Sequence, residues 1–227
     1  MKNERPDLPL TIARLVRSAT PVAPLAPPLV RMTRWTIAAA GLVLLSVLLL
    51  GVRADVAPRM TDGWFIARAA ATLVIVAAAV AVAFPISVPG VWPSRAARTL
   101  PVMAGVGWGV MLAAVLAFAG SPLERLLLVQ PHPMCVLQIV GIALLPGAAL
   151  TRMLRRAAPL RRRWTGGLAG LASAALGALG TQFVCGDDTA AHHLLWHFTP
   201  VVLLALAGVA LSSSVFATDT RTRDRNG

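Results

Sequence analysis

The chain has 227 residues, of which 57% are hydrophobic and 13% are charged, and its mean hydropathy is +0.73. One soluble domain of this length cannot bury so much apolar surface, so the composition excludes an ordinary soluble protein and favours a membrane protein. A net charge of +12 would suggest nucleic-acid binding in a soluble chain, but here the basic residues lie between long apolar runs.

The N-terminal tail, residues 1–34, combines a helical pattern with a proline-rich segment. An apolar stripe at helical spacing predicts a short amphipathic helix, with Asp7 as its N-cap; the stripe is Leu8, Ile12, Leu15 and Ala19, beside Arg14 and Arg17. Four prolines then predict an extended linker into the first span: Pro21, Pro24, Pro27 and Pro28. Such a helix lies on lipid headgroups or docks into a groove of a cytoplasmic partner, and the residues leave both interpretations open.

Six apolar runs follow the tail, each long enough to cross about 30 Å of hydrocarbon. They predict spans at Trp35–Val52, Trp64–Phe84, Pro101–Ala119, Met134–Leu150, Thr165–Val184 and Leu194–Val215. The runs lack the alternating pattern of barrel strands, so we expect an all-α, polytopic fold. This divides the chain into a tail (1–34), a transmembrane domain (35–216) and a C-terminal tail (217–227), and the length of the N-terminal tail argues against a cleaved signal peptide.

The basic residues alternate between the connections of these spans. Seventeen of the 21 Lys and Arg residues lie in the N-terminal tail, the second connection, the fourth connection and the C-terminal tail. Because positive charge is enriched on the cytoplasmic side of membrane proteins, both termini are predicted to be cytoplasmic. The net charge is then a topology signal, reinforced by attraction to anionic lipids, and direct binding of nucleic acid is not expected.

The predicted topology gathers the reactive side chains on the opposite side of the membrane. Both cysteines, Cys135 and Cys185, fall there together with the four histidines, His132, His192, His193 and His197. Gln138 and Gln182 each lie three residues inward from a cysteine, on the same helix face. Asp187 and Asp188 follow Cys185, so these four polar residues are candidates for an outer shell around the cysteines.

Three interpretations of this cluster stay open from the residues alone. The two thiols form a disulfide or sense oxidants in an oxidising compartment, or thiolates and imidazoles bind zinc, copper or cadmium, or the side chains simply pack at a wet interface. No Cys-x-x-Cys pair is present, which argues against a membrane thiol oxidoreductase. Span five also carries small residues at helical spacing that favour close helix packing: Gly166, Gly167, Gly170, Ser173, Gly177 and Gly180.

Six short motifs are spread over nearly the whole chain. They are Thr20–Val22 with Leu25, Ser87–Gly90, Cys135 ahead of Pro146, Arg155–Leu160, Gly167–Ala172, and Cys185–Asp188 with Trp196. In this order, and with the six-span plan, they resemble the NrsF-type membrane anti-sigma factors. The chain departs from that family's pattern after the acidic pair, where His192, His193 and His197 replace an aromatic-rich stretch and add metal-ligating side chains.

The resemblance implies a signalling protein without catalysis. Such a protein holds an extracytoplasmic-function sigma factor inactive at the bacterial inner membrane and releases it under stress. Cys135 and Cys185 match the family's two characteristic cysteines, which are implicated in sensing. The N-terminal tail is the expected sigma-binding segment, and Arg155 and Arg156 are candidates to assist it.

Two other functions stay open. A small metal-ion transporter or channel would need a polar path, but the spans offer mainly Gln138, Gln182 and a few hydroxyls, and Arg68 is nearly their only ionisable residue. A membrane thiol enzyme would need a dithiol motif.

Overall fold

The computed structural model describes residues 24–217 and, within the tail, residues 10, 12–13 and 16–17. The described residues form helices and no strand, which confirms the all-α prediction. Six long helices, α1 to α6, are Pro28–Leu50, Gly63–Ile86, Arg95–Phe118, Pro133–Arg155, Arg162–Gln182 and Ala190–Ala210. Short helices, at Val56–Arg59, Pro122–Leu127 and Ser212–Val215, lie in the first and third connections and after α6.

Local chemistry explains where several helices begin. The Asp62 carboxylate accepts a hydrogen bond from Trp64 N at the start of α2, and Ser94 Oγ accepts one from Ala97 N at the start of α3. Pro28 and Pro133 occupy the first helical turns of α1 and α4, where a missing N–H has no cost.

α1 begins at Pro28, seven residues before the predicted start of the first span at Trp35, so Pro28 belongs to the helix and not to the extended linker. Arg31 and Arg34, predicted in the tail, also lie in this helix. α4 continues through Pro146 and ends at Arg155, five residues beyond the predicted Leu150.

Helix α5 is the central element of the bundle. Fourteen of its 21 residues are buried, and its glycines let other helices approach its backbone. A Cβ atom on Gly166 would collide with the backbone oxygen of Gly208 in α6, and one on Gly177 would collide with that of Ile139 in α4. The packing predicted for span five is thus present on two of its faces.

Five of the six long helices are long and apolar enough to cross a membrane, namely α1, α2, α3, α4 and α6. Six membrane spans were predicted, and five of the six long helices have the length and apolarity that a span requires. Glycine and hydroxyl residues make α5 less apolar, and its neighbours cover most of its surface.

The connections gather at two ends of the bundle. At the first, which we call the thiol end, the segments 51–62, 119–132 and 183–189 meet, and Arg53 hydrogen-bonds to Asp188. At the second, the arginine end, the segments 87–94 and 156–161 meet, and the Arg161 guanidinium carbon lies 3.9 Å from the centre of the Trp92 ring. Both cysteines lie at the thiol end.

Candidate functional site

Three chain segments bring the thiols and imidazoles together at the thiol end. Cys135 lies in the first turn of α4, and its N–H donates to His132 O at 3.1 Å. Cys185 follows the end of α5, where its N–H donates to Thr181 O at 2.8 Å. His192 lies at the start of α6, capped by the Thr189 hydroxyl, which accepts from His192 N at 3.3 Å.

The two thiols are in contact with each other and with one imidazole. Cys135 Sγ lies 3.6 Å from Cys185 Sγ, and both cysteines are free. His192 Nε2 lies 3.6 Å from Cys135 Sγ and 3.4 Å from Cys185 Sγ. Residues fifty positions apart in sequence thus form one compact group.

His197 completes this group through a local change in helix geometry. Residues His193–Phe198 form a π-helical turn, whose i→i+5 hydrogen bonding brings residues five apart towards the same face. The rings of His192 and His197 therefore lie 5.2 Å apart, centre to centre. One ligand atom from each of Cys135, Cys185, His192 and His197 lies within 4.8 Å of all the others.

The surroundings of His192 and His197, the two candidate ligand histidines, differ. His197 is fully buried, and neither of its ring nitrogens has a hydrogen-bond partner among the described residues. His192 directs Nε2 at the thiols, while its Nδ1 lies 3.3 Å from Asp187 Oδ2. A carboxylate behind a histidine in this way is the usual outer-shell arrangement of a metal ligand.

The other two predicted histidines lie outside the four-residue group. His132 stacks edge-on against His192 with ring centres 4.8 Å apart, and together with Asp187 the two form a second, half-exposed set of candidate ligands. His193 is buried and contacts the Arg68 guanidinium. His193 therefore contacts a network of ion pairs around Arg68 and does not contact the thiols.

That network was not predicted from the sequence, although Asp188 was a candidate for the outer shell. The Asp188 carboxylate pairs with Arg53 at 2.7 Å, with Arg59 at 3.2 Å and with the fully buried Arg68. Arg53 also donates to Cys185 O at 2.8 Å and pairs with Asp55. The network fixes the backbone that carries Cys185. A signal was available, because an arginine inside a predicted span needs an acid at the same depth.

Charges and hydrogen bonds at this end favour the ionised forms of the groups outside the helices. Burial opposes ionisation of Asp188, but hydrogen bonds from Arg53 and Arg68 outweigh it and lower the pKa of the carboxyl. The hydrogen bond from the Cys135 thiol, helped by the one from His192, lowers the pKa of Cys185. Thiolate character at Cys185 favours both metal binding and reaction with oxidants.

The remaining predicted residues lie away from the cluster. Gln182 is buried and donates to Thr72 Oγ1 at 3.4 Å, Gln138 is half-buried, and among the described residues neither amide hydrogen-bonds to a thiol or imidazole. Arg155 and Arg156 are exposed at the arginine end. In the tail, Ile12 and Arg17 are helical and exposed, whereas Leu8, Arg14 and Leu15 lie outside the described residues.

The four-residue group has the donor chemistry of a tetrahedral metal site, and Cys135, Cys185 and His192 have its dimensions. With Zn–S bonds of about 2.3 Å and Zn–N bonds of about 2.0 Å, a tetrahedron separates two sulfurs by about 3.8 Å and sulfur from nitrogen by about 3.5 Å. Among Cys135, Cys185 and His192 the sulfur–sulfur distance of 3.6 Å and the sulfur–nitrogen distances of 3.6 and 3.4 Å are close to these values. One of the two unpaired nitrogens of His197 would be the fourth donor.

Fold and site together define a helical membrane protein with a buried thiol and imidazole cluster at one end of its bundle. The family model described as negative regulator of sigma F, NrsF, matches residues 15–217. The chain therefore belongs to this family, which confirms the resemblance seen in the sequence and makes a sigma factor the expected class of partner. Neither the curated proteins nor the solved structures contain a match to the chain.

Proposed function

We propose that this chain is an anti-sigma factor of the bacterial inner membrane, with six spans, cytoplasmic termini and no catalytic activity. It holds an extracytoplasmic-function sigma factor inactive and releases it when an oxidant or a thiophilic metal ion reacts at Cys135 and Cys185. Family membership supports the sigma-factor partner. The thiol pair, in contact at the thiol end, is the observation that carries the sensing step.

The course of α5 supports six spans. Cys135 and Cys185 meet at the thiol end, while Arg161, just before α5, meets Trp92 at the arginine end. The chain therefore runs the full length of the bundle between these points, although α5 is less apolar than its neighbours. A helix enclosed by other helices does not need a lipid-compatible surface. The arginine end is then cytoplasmic by the positive-inside rule.

Metal binding is the first of two signals that this site can take. Zinc and cadmium suit a set of two thiolates and two imidazoles, and copper binds such ligands as well. Cys135, Cys185, His192 and His197 would hold the ion, and Asp187 would orient His192. The bound ion would supply a positive charge and fixed bonds that tie together the first turns of α4 and α6 and the end of α5.

Oxidation is the second signal. Hydrogen peroxide takes two electrons from the thiol pair, forming one sulfur–sulfur bond and two molecules of water that carry away both thiol protons. The low pKa of Cys185 supplies the attacking thiolate. Either reaction changes how α4 and α5 meet at the thiol end.

The same two helices lead to the arginine end. α4 runs from Cys135 to Arg155, and α5 begins at Arg162 and ends three residues before Cys185. We propose that two arrangements of these helices, separated by a few kcal/mol, differ in their affinity for the sigma factor. The N-terminal tail, with Arg155 and Arg156, forms the binding surface.

Transcription from a sigma-dependent promoter tests this proposal. In cells that express the chain, cadmium or peroxide should induce the promoter, and Cys135→Ser or Cys185→Ser should abolish the induction. Met134→Ser is the matched control, because Met134 precedes Cys135 and is exposed. Full induction in both cysteine variants would exclude the sensing step while leaving the sigma-factor partner intact.

A further inference from the structure

An apolar groove lies between α3, α5 and α6, away from the thiol cluster. Its volume is about 290 Å³, and its walls include Val102 of α3, Leu168 and Leu171 of α5, and Leu206 of α6. All four residues belong to the long helices. The groove therefore lies alongside the hydrocarbon of the bilayer.

At its arginine end the groove opens into a polar pocket. This pocket, of about 660 Å³, shares Arg163, Trp164 and Val209 with the groove and adds Arg161, Arg162 and the hydroxyl residues Ser212 and Ser213. The apolar and polar parts thus form one continuous cleft. Trp164 at the junction is a residue typical of the boundary between hydrocarbon and headgroups.

No described carboxylate neutralises this rim. The acidic residues of the described part are Asp55, Asp62, Glu124, Asp187 and Asp188, and all lie in or beside the connections of the thiol end. Arg161 stacks on Trp92, which orients its guanidinium, and Arg163 is exposed. Three consecutive arginines with the exposed hydroxyl of Ser213 are suited to bind a phosphate group.

We propose that this cleft is a binding site for one anionic phospholipid. Its phosphate binds at Arg161–Arg163, and an acyl chain fills the groove beside Val102 and Leu171. Two observations select a lipid over other occupants. A soluble protein cannot reach the deep part of a groove formed within membrane helices, and the chain's own tail, with Arg5, Arg14 and Arg17, has the same charge as the rim.

Native mass spectrometry of the full-length protein in detergent tests the headgroup part of the site. Phosphatidylglycerol should be retained and phosphatidylcholine should not, and excess glycerol phosphate should not displace the lipid. The double variant Arg162→Gln/Arg163→Gln should weaken phosphatidylglycerol binding by about tenfold or more. Arg155→Gln/Arg156→Gln removes the same charge from the same end of the bundle but outside the cleft, and should bind phosphatidylglycerol as the wild type does.

A second pair of variants tests the groove. Val102→Trp should fill the groove and reduce phosphatidylglycerol retention severalfold, whereas Val106→Trp, one turn further along α3, should not. The two valines are equally exposed, at 51% and 52%, so the pair controls for surface changes. The proposal would be overturned if both lipids were retained equally, if both arginine double variants lost binding equally, or if glycerol phosphate alone displaced the lipid. Equal effects of the two tryptophans would also overturn it.

Discussion

His193 and His197 illustrate how the surroundings of a buried imidazole decide its role. Their rings lie 4.2 Å apart in the same helix, yet among the described residues only His193 has a polar partner, the Arg68 guanidinium. A buried polar group without a partner costs about 1–3 kcal/mol. The unpaired nitrogens of His197 therefore support the proposal that it is a metal ligand beside Cys135, Cys185 and His192.

Replacing His197 separates metal binding from folding. Zinc at 100 times its Kd should stabilise the wild type by about 2.7 kcal/mol. His197→Leu should lose this gain but be no less stable without zinc, because two unpaired nitrogens are gone. His193→Leu, the matched control, should keep the gain and lose basal stability. Thermal unfolding in detergent measures both effects, and an unchanged zinc gain in His197→Leu would exclude His197 as a ligand.

Asp188 is the residue on which the charge network depends. Asp188→Asn leaves the fully buried Arg68 without a carboxylate and leaves Arg53 with Asp55 alone, which should cost about 3 kcal/mol of unfolding free energy. Its folded pKa is lowered, so its contribution is full at neutral pH and is lost as pH falls below about 4, towards the folded pKa. The unfolding free energies of the wild type and of Asp188→Asn, measured with denaturant, should differ at pH 7 and become similar at acidic pH. Glu124→Gln is the control, and a variant as stable as wild type at pH 7 would contradict this role.

At the scale of elements, apolar runs predicted the helices but not all of their ends. A bilayer requires long apolar helices, so the six runs could be recognised in the sequence. The ends of α1 and α4 could not, because α1 begins at Pro28 and α4 ends at Arg155, beyond the apolar parts of these helices. The closeness of His197 to His192 could not be predicted. In an α-helix of 3.6 residues per turn, residues five apart lie on different faces, whereas the π-helical turn brings these two together. Arg68 and Asp188 pair only through the tertiary fold.

The contact between α4 and α5 sets the distance between the cysteines. Gly177→Ala should force α5 away from Ile139 and cost about 1–3 kcal/mol, and it should also weaken zinc binding. Gly141→Ala, on the open side of α4, should be neutral or stabilising by up to about 1 kcal/mol. Thermal unfolding with and without zinc compares the two. Equal behaviour would show that this close approach does not position the site.

The predicted tail helix has two faces that can be tested separately. Ile12 lies on the apolar stripe and Leu10 on the opposite face, and both are helical and exposed. Ile12→Glu should reduce sigma-factor capture by the full-length protein at least tenfold, whereas Leu10→Glu should not. Capture from solution by the immobilised, detergent-solubilised protein measures this. Equal capture by the two variants would remove the stripe from the binding surface.

In the molecule as a whole, two different sets of side chains lie at opposite ends of the helical bundle. Thiols, imidazoles and all described acids lie at the thiol end, and Arg161–Arg163 with Arg155 and Arg156 lie at the other. α4 and α5 join the two ends and meet along glycines. Such an arrangement suits a protein that receives a chemical signal on one side of a membrane and holds a partner on the other.

Release of the sigma factor is the most direct test of this account. The full-length protein with its bound sigma factor should be immobilised in detergent and exposed to cadmium or to peroxide. Either treatment should release the sigma factor from the wild type and from Met134→Ser, but not from Cys135→Ser or Cys185→Ser. Release from the cysteine variants to the same extent as from the wild type would contradict it.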